Sequence, residues 1–298
     1  MEPVVFRTLH REFRLHPPNE DYRQRLRFME TMPTIVGRRL EPVDIRPEAS
    51  WGFLAVRLPN GHMVHGSSLH LLGALHPMVL QDTLSGFPSA PLVHGATVRI
   101  GGRRLLLVGN KAVGKTTLCL HLLAKGHRVE GDEHLVVLDD GVMARPRSLR
   151  VKPGSFAVVR NLPAAIADTP AVPAWDGTPI HAVSPALFGT PWEIEQGVLD
   201  GLVFLEANRG GGSSIAPLST DRGFRRLMRE VVLPRTGIAA ASALLRRSLV
   251  AVPNFILSVG DLDRAQFHLE VIARRLTERV GKGIVQLSES GDRDDATA

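Results

Sequence analysis

One cysteine, one tyrosine and three tryptophans occur in 298 residues, and aromatic residues make up 5% of the chain. The lone Cys119 excludes an intrachain disulfide framework, so a reducing cytoplasm is the expected compartment. It falls in a helical stretch and reads as a small core residue. So few aromatics leave no stacking platform interleaved with basic residues, and nucleic acid is not the expected partner. No stretch reaches the roughly 18 apolar residues that a membrane span requires, so no membrane partner is expected either. The opening Met1-Glu2-Pro3-Val4-Val5-Phe6 lacks a basic region followed by an apolar one, so no signal peptide is expected.

What is present suits a globular protein: 44% apolar residues can build a full core, and 22% charged residues can cover it. The net charge of +6 comes mainly from scattered arginines rather than lysine blocks. A basic surface of that kind suits an anionic nucleotide or an acidic partner.

The most informative segment is Gly109-Asn110-Lys111-Ala112-Val113-Gly114-Lys115-Thr116-Thr117, which fits G-x-x-x-x-G-K-[ST], the phosphate-cradling P-loop. The pattern arises by chance in roughly one chain in a hundred of this length, but its surroundings also fit. Leu105-Leu106-Leu107-Val108 reads as a buried strand. Thr116 to Lys125 lacks Gly and Pro and pairs Leu118 with Leu122 and Cys119 with Leu123 at helical spacing, and Gly126 stands where a helix stops. A triphosphate needs many donors in a small space. Glycines let successive N–H groups turn inward, and the helix N-terminus adds partial positive charge. Lys115 is expected on the β- and γ-phosphates of ATP and Thr116 on Mg²⁺.

Along the chain, residues 1–92 read as a small α/β N-terminal domain, 93–287 as the catalytic domain and 288–298 as a disordered tail. Val4 to Leu15 predicts one or two strands, and Asn19 predicts the cap of a helix through Phe28. Asn60-Gly61 predicts a hairpin between Phe53–Leu58 and His62–His65, and Gly101-Gly102 another between Ala96–Ile100 and Arg103–Val108. Pro77, Pro88 and Pro91 mark the passage between the two regions. Val129 to Leu138 is strand-like, and Asp139-Asp140-Gly141 turns it into Val142-Met143. Antiparallel pairs beside a P-loop predict a mixed sheet. The Pro-rich Leu149–Trp192 predicts an irregular excursion of the kind that carries an acceptor site. Leu202 to Leu205 predicts a buried strand. Phe224, Leu227, Met228 and Val231 predict one amphipathic helix, and Phe267, Ile272 and Leu276 a second.

A P-loop needs an acidic partner for the metal, and a kinase also needs a group that orients or deprotonates the acceptor hydroxyl. Asp132 and Glu133 are the candidates. Adjacent strand residues face opposite ways, so one carboxylate can serve the metal and the other the acceptor, provided the strand bends at Gly131. Asp139-Asp140 reads as a turn pair, and His94 as structural.

The ordered string from His94 to Gly154 resembles the HPr kinase/phosphorylase superfamily, specifically its smaller bacterial relatives. The string comprises His94-Gly95-Ala96, the P-loop, Leu122-Leu123-Ala124-Lys125-Gly126-His127-Arg128, Asp132-Glu133 and Pro146 to Lys152. About 60 residues match closely, and Leu202 to Glu206 resembles a later strand of these relatives. The resemblance implies an α/β fold with the mixed sheet shared with phosphoenolpyruvate carboxykinase, and ATP-dependent phosphoryl transfer to a Ser-type hydroxyl of a protein, peptide or small molecule. It also implies Asp132 as base or acceptor-orienting acid, Glu133 as the metal-side acid, His127 close to the phosphates and Lys152 as a phosphate or acceptor contact. Family enzymes that act on HPr carry glycine at the position of Ala112, Asp at that of Glu133, and a downstream Glu-Ile-Arg-Gly. None of these is present, so HPr itself and phosphorolysis are not carried over.

The rival reading is a nucleotide-binding regulatory module with little transfer. A nucleic-acid ATPase, suggested by Arg225-Arg226-Arg229, lacks a second helicase-type motif, and no Asn-Lys-x-Asp guanine reader supports a GTPase. The oligomeric state is left open by the sequence, a homo-oligomer included.

Overall fold

The computed structural model describes residues 1–291 except 51–52, 59–60, 161, 163, 168, 175–176, 233–236 and 250–251. Strands β1 (Val4–Arg7) and β2 (Arg11–Leu15) pair antiparallel. Helix α1 (Glu20–Leu26) starts at Asn19, whose Oδ1 accepts the Tyr22 N–H at 2.8 Å. Short β3 (Thr34–Ile35) follows, and β4 (Glu41–Ile45) joins β2 in parallel. Strands β5 (Glu48–Ser50), β6 (Phe53–Arg57) and β7 (Met63–Gly66) form a meander. The second of its hairpins is the one expected there; its Asn60 lies outside the described residues. Helix α2 (Ser68–Gly86) then contains Pro77 in its interior, so that proline does not mark a boundary as the sequence suggested.

Strands β8 (Leu92–Ile100) and β9 (Arg103–Val108) form the expected hairpin, its turn made by Gly101 and Gly102 at φ +55° and +78°. Helix α3 (Lys115–Ala124) leads to β10 (Arg128–Gly131), β11 (His134–Leu138) and β12 (Gly141–Ala144). The excursion is less irregular than expected: β13 (Leu149–Val151), α4 (Pro153–Phe156), α5 (Ala164–Ala167), β14 (Val172–Pro173) and β15 (Pro179–Val183) include a small sheet in the order β13-β15-β14. Strand β16 (Glu193–Ile194) pairs with β3 in parallel. The chain closes with β17 (Gly201–Ala207), β18 (Ser214–Leu218), α6 (Thr220–Leu227), β19 (Val231–Val232), α7 (Gly237–Leu249), β20 (Asn254–Val259) and α8 (Leu262–Gly291). Val231 therefore belongs to a strand rather than to the preceding helix. On α8, Ile272 and Leu276 are buried while Phe267 stays exposed. Part of the expected tail, 292–298, lies outside the described residues, and α8 occupies the positions before it.

The central sheet is mixed and nine-stranded, with the path β12-β11-β8-β9-β17-β20-β18 and with β10 and β19 also on β8. Parallel β9, β17 and β20 sit at its middle, and antiparallel partners flank them. One apolar cluster fills the space between this sheet and helices α3 and α8. A second joins β1, β2, α1 and α2 to Val172, Ala174 and Ile180 of the excursion.

Candidate functional site

The glycine loop leaves the end of β9 and enters α3, whose Leu118, Cys119 and Leu122 are packed into the core under the sheet. This anchoring fixes the position of the helix N-terminus. Gly114 caps the helix at φ +103°, a conformation that a side chain would strain. Ala112 stands at φ +69°, the one non-glycine residue with positive φ among the described residues. Lys115 Nζ folds back onto the loop, donating to the carbonyl oxygens of Gly109 and, at 3.3 Å, of Asn110. Burial lowers its pKa, against the opposing fields of Glu230 and Asp132.

Between β10 and β11 the chain bends. The register of β10 against β8 shifts after Val129, and a Cβ on Gly131 would come within 2.9 Å of the Arg145 carbonyl oxygen. Glycine is required there, and the bend it permits gives the next two residues different surroundings. Asp132 turns to the loop, where its Oδ2 accepts the Thr116 hydroxyl at 2.9 Å. It is 8% exposed, and burial raises its pKa despite Arg147 nearby. Glu133 turns to arginine: Arg145 Nη1 donates to it at 3.0 Å, and Arg147 forms an ion pair with its other oxygen. Burial alone would raise Glu133, but Arg147 and Arg145 outweigh it and hold the carboxyl well below its usual range. Two neighbouring carboxyls are thus pushed in opposite directions.

A cleft of about 610 Å³ opens over these groups. Loop residues Asn110 to Ala112 and Gly114 to Thr117 form one wall, and Arg147, Arg150 and Lys152 another. Ser155 Oγ lies 3.0 Å from Thr117 Oγ1. Ala174, Thr178 and Ile180 bring the Pro-rich excursion to the same opening. His94 on β8 also lines it, 5.6 Å from the His134 ring, and burial together with Lys115 lowers its pKa to about 4, so it is neutral at pH 7.

Among the residues singled out in the sequence, Lys115, Thr116, Asp132 and Glu133 come together here with Asn110, Lys111, Ala112, Gly114 and Thr117. Gly109 lies beneath the loop, where a Cβ would meet Val113 and Leu205, while Val113 faces the core. His127 is not brought to the loop. It follows the far end of α3, a helix about 15 Å long, and its Nε2 lies 3.1 Å from Glu270 Oε1 on α8. Lys152, expected as a phosphate or acceptor contact, also lines the cleft, as does His94, which was expected to be only structural; sequence reading missed Arg147, Arg150 and Ser155. The signal for the arginines was a charge-dense stretch, Arg145 to Lys152, just beyond the acidic pair.

No group of three or more His, Cys, Asp or Glu among the described residues could hold a metal unaided. The paired oxygens of Thr116 and Asp132 do fit a hard cation that completes its shell with phosphate oxygens and water. No helix among the described residues is long and apolar enough to cross a membrane.

No family model matches this chain, and no curated protein matches it. Among solved structures the chain is similar to the HPr(Ser) kinase/phosphatase from Coxiella burnetii, over 68% of this chain and 98% of that one. The identity is 15% and the TM-score 0.35, a likeness that carries no argument about what this chain does.

Proposed function

We propose that the protein is an ATP-dependent kinase, of the type the sequence string resembles, that transfers the γ-phosphoryl group to a hydroxyl of a protein, peptide or small molecule in the cytoplasm. The observation that carries this reading is the Thr116–Asp132 hydrogen bond at 2.9 Å, at the start of α3 and directly beside Lys115. It joins the hydroxyl and the carboxylate that phosphoryl transfer requires on the metal. The loop N–H groups and the N-terminus of α3 receive the phosphates, and Lys115 exchanges the carbonyls of Gly109 and Asn110 for the β- and γ-phosphate oxygens. Thr116 and Asp132 would hold Mg²⁺, and the ion would supply positive charge against the phosphates. The acceptor oxygen forms its bond to the γ-phosphorus as the bond to the bridging oxygen breaks and ADP leaves. Asp132 lines the same cleft, and its carboxylate also orients the acceptor hydroxyl and receives its proton. Glu133, occupied by Arg145 and Arg147, orders the arginine wall rather than binding metal. This assignment moves the metal-side role from Glu133 to Asp132. We assign residues 93–287 to the catalytic domain.

Lys115→Ala is expected to lower transfer from γ-labelled ATP at least about a hundredfold with an unchanged circular dichroism spectrum. Undiminished labelling of the acceptor would remove the kinase reading. The alternative, a nucleotide-binding regulatory module, draws on Glu133 being taken up by arginines, which leaves one carboxylate for the chemistry.

A further inference from the structure

We infer that the groove between the β1-β2-β4 sheet and the turn after β3 docks an acidic, partly apolar segment of a protein partner. It is separate from the P-loop and does not depend on the kinase reading.

The groove encloses about 450 Å³, and Arg7, Arg14, Arg38 and Arg39 line it against a single acid, Glu12. That acid is already used twice: Arg7 Nε donates to one of its oxygens at 3.0 Å and Arg14 Nε to the other at 2.9 Å. Arg38 lies over the Phe87 ring, 5.1 Å from its centroid, and Arg39 is exposed. Neither forms an ion pair among the described residues. The bordering acids do not supply the balance. Glu41 faces Arg11 at 3.7 Å, which also holds Asp82 at 2.8 Å, and Asp44 is matched by Arg46 at 4.0 Å. Four guanidinium groups against Glu12 and Glu41 leave two positive charges unmatched.

Three of these cations are held in place before any partner arrives. Arg7 also donates from Nη1 to the Pro33 carbonyl oxygen at 2.9 Å, Arg14 is fixed by Glu12, and Arg38 by the ring beneath it. Like charges gathered on a concave surface repel one another and focus their field into the opening, where a carboxylate relieves the repulsion. The rim adds an apolar part. Around β3 burial alternates: Pro33 and Ile35 point inward, while Met32, Thr34 and Val36 point out. Met32 is 60% and Val36 42% exposed, beside the Thr34 that lines the groove. Arginine and methionine are the residues that protein interfaces favour. No aromatic ring lines the groove for a base to stack on, and Arg38 covers Phe87, so a protein segment fits better than nucleic acid. Arg7 also lines a small cavity of about 30 Å³ shared with Arg147 and Arg150, so a docked segment lies close behind the cleft wall.

The test selects a random phage-displayed peptide library on the immobilised full chain, then titrates the enriched peptides, made with a fluorophore, by anisotropy. Enriched sequences are expected to combine Asp or Glu with apolar residues. Their affinity should fall about tenfold or more in Arg39→Glu and a few-fold in Met32→Ser, and it should weaken as salt is raised. ATP affinity should stay within about twofold in both variants. Arg39 and Met32 are exposed, so both variants should keep the wild-type circular dichroism spectrum, and Met32→Ser carries the test should Arg39→Glu not fold. Enrichment of no acidic peptide overturns the inference, and so does acidic-peptide binding that Arg39→Glu leaves unaltered. A single-stranded oligonucleotide that displaces the peptide, and itself binds more weakly to Arg39→Glu, would give the groove to nucleic acid and overturn it too. Failure of the wild type to bind ATP would remove the kinase reading and leave the groove standing.

Discussion

At the scale of single residues, the pair Asp132 and Glu133 separates function from stability. Asp132 is a buried carboxylate with a raised pKa, so its charge costs folding free energy once pH exceeds its ordinary value of 3.8. Glu133 is the reverse. Its depressed pKa contributes stability that is full above 4.5 and is lost as pH falls below that value towards the folded one. Asp132→Asn is therefore expected to abolish phosphoryl transfer while leaving the melting temperature equal to or above that of the wild type. Glu133→Gln leaves Arg145 and Arg147 buried without a counter-charge and should cost about 3 kcal/mol. It should also flatten the loss of stability on acidification below pH 4.5. Thermal melts across pH, run beside a transfer assay, measure both. The assignment fails if Asp132→Asn destabilises more than Glu133→Gln, or if Asp132→Asn transfers normally; negligible transfer by the wild type, with ATP binding unaltered in Asp132→Asn, would favour the regulatory module instead.

At the scale of elements, the strand, loop and helix around Gly109 to Thr117 were legible because they are local: an apolar run, glycines and a helical period in about twenty consecutive residues. The Gly101-Gly102 hairpin, the Asn19 cap and the strand at Leu202 were legible for the same reason. What escaped depended on partners distant in sequence. His94 reaches the cleft because β8 lies between β9 and β11 in the sheet, an order that no local pattern encodes. His127 stands beside a glycine just past α3, and only the packing of α8 brings it to Glu270. Pro77 looked like a break, yet it is accommodated inside α2. Ala112 was visible as a departure, and its backbone now gives that departure a cost. At φ +69° a Cβ costs about 1–2 kcal/mol, and glycine returns part of this as unfolded-state entropy. Ala112→Gly should thus raise stability by about 0.5–1 kcal/mol, read from denaturant midpoints at constant slope. A loss of stability would mean that the loop uses the alanine methyl group for packing.

At the scale of the whole molecule, the N-terminal region and the central sheet share their cores. Tyr22, the chain's single tyrosine, is 2% exposed in a cluster that also contains Val172, Ala174 and Ile180 of the excursion. Trp192 packs with Leu9 and Ile35 from the beginning of the chain and with Leu92 and Val136 of the central sheet, and its Nε1 donates to the Glu130 carbonyl at 2.9 Å. Ser148, just before β13, donates its hydroxyl to the Glu30 carbonyl at 2.6 Å. The wall that carries Arg147 and Arg150 is therefore braced by residues more than a hundred positions earlier. If these shared clusters couple the two regions, the first ninety residues cannot melt while the remainder stays native. In a variant with Trp51 and Trp175 changed to phenylalanine, Tyr22 absorbance and Trp192 fluorescence should report one transition with the same midpoint. A tyrosine transition several degrees below the tryptophan one would mean that the N-terminal region is an independent unit resting on the site. The arginine wall would then keep its place after deletion of residues 1–90. With coupled cores, the same deletion exposes Val172, Ala174 and Ile180, two of which line the cleft, and removes the packing that holds that side of it.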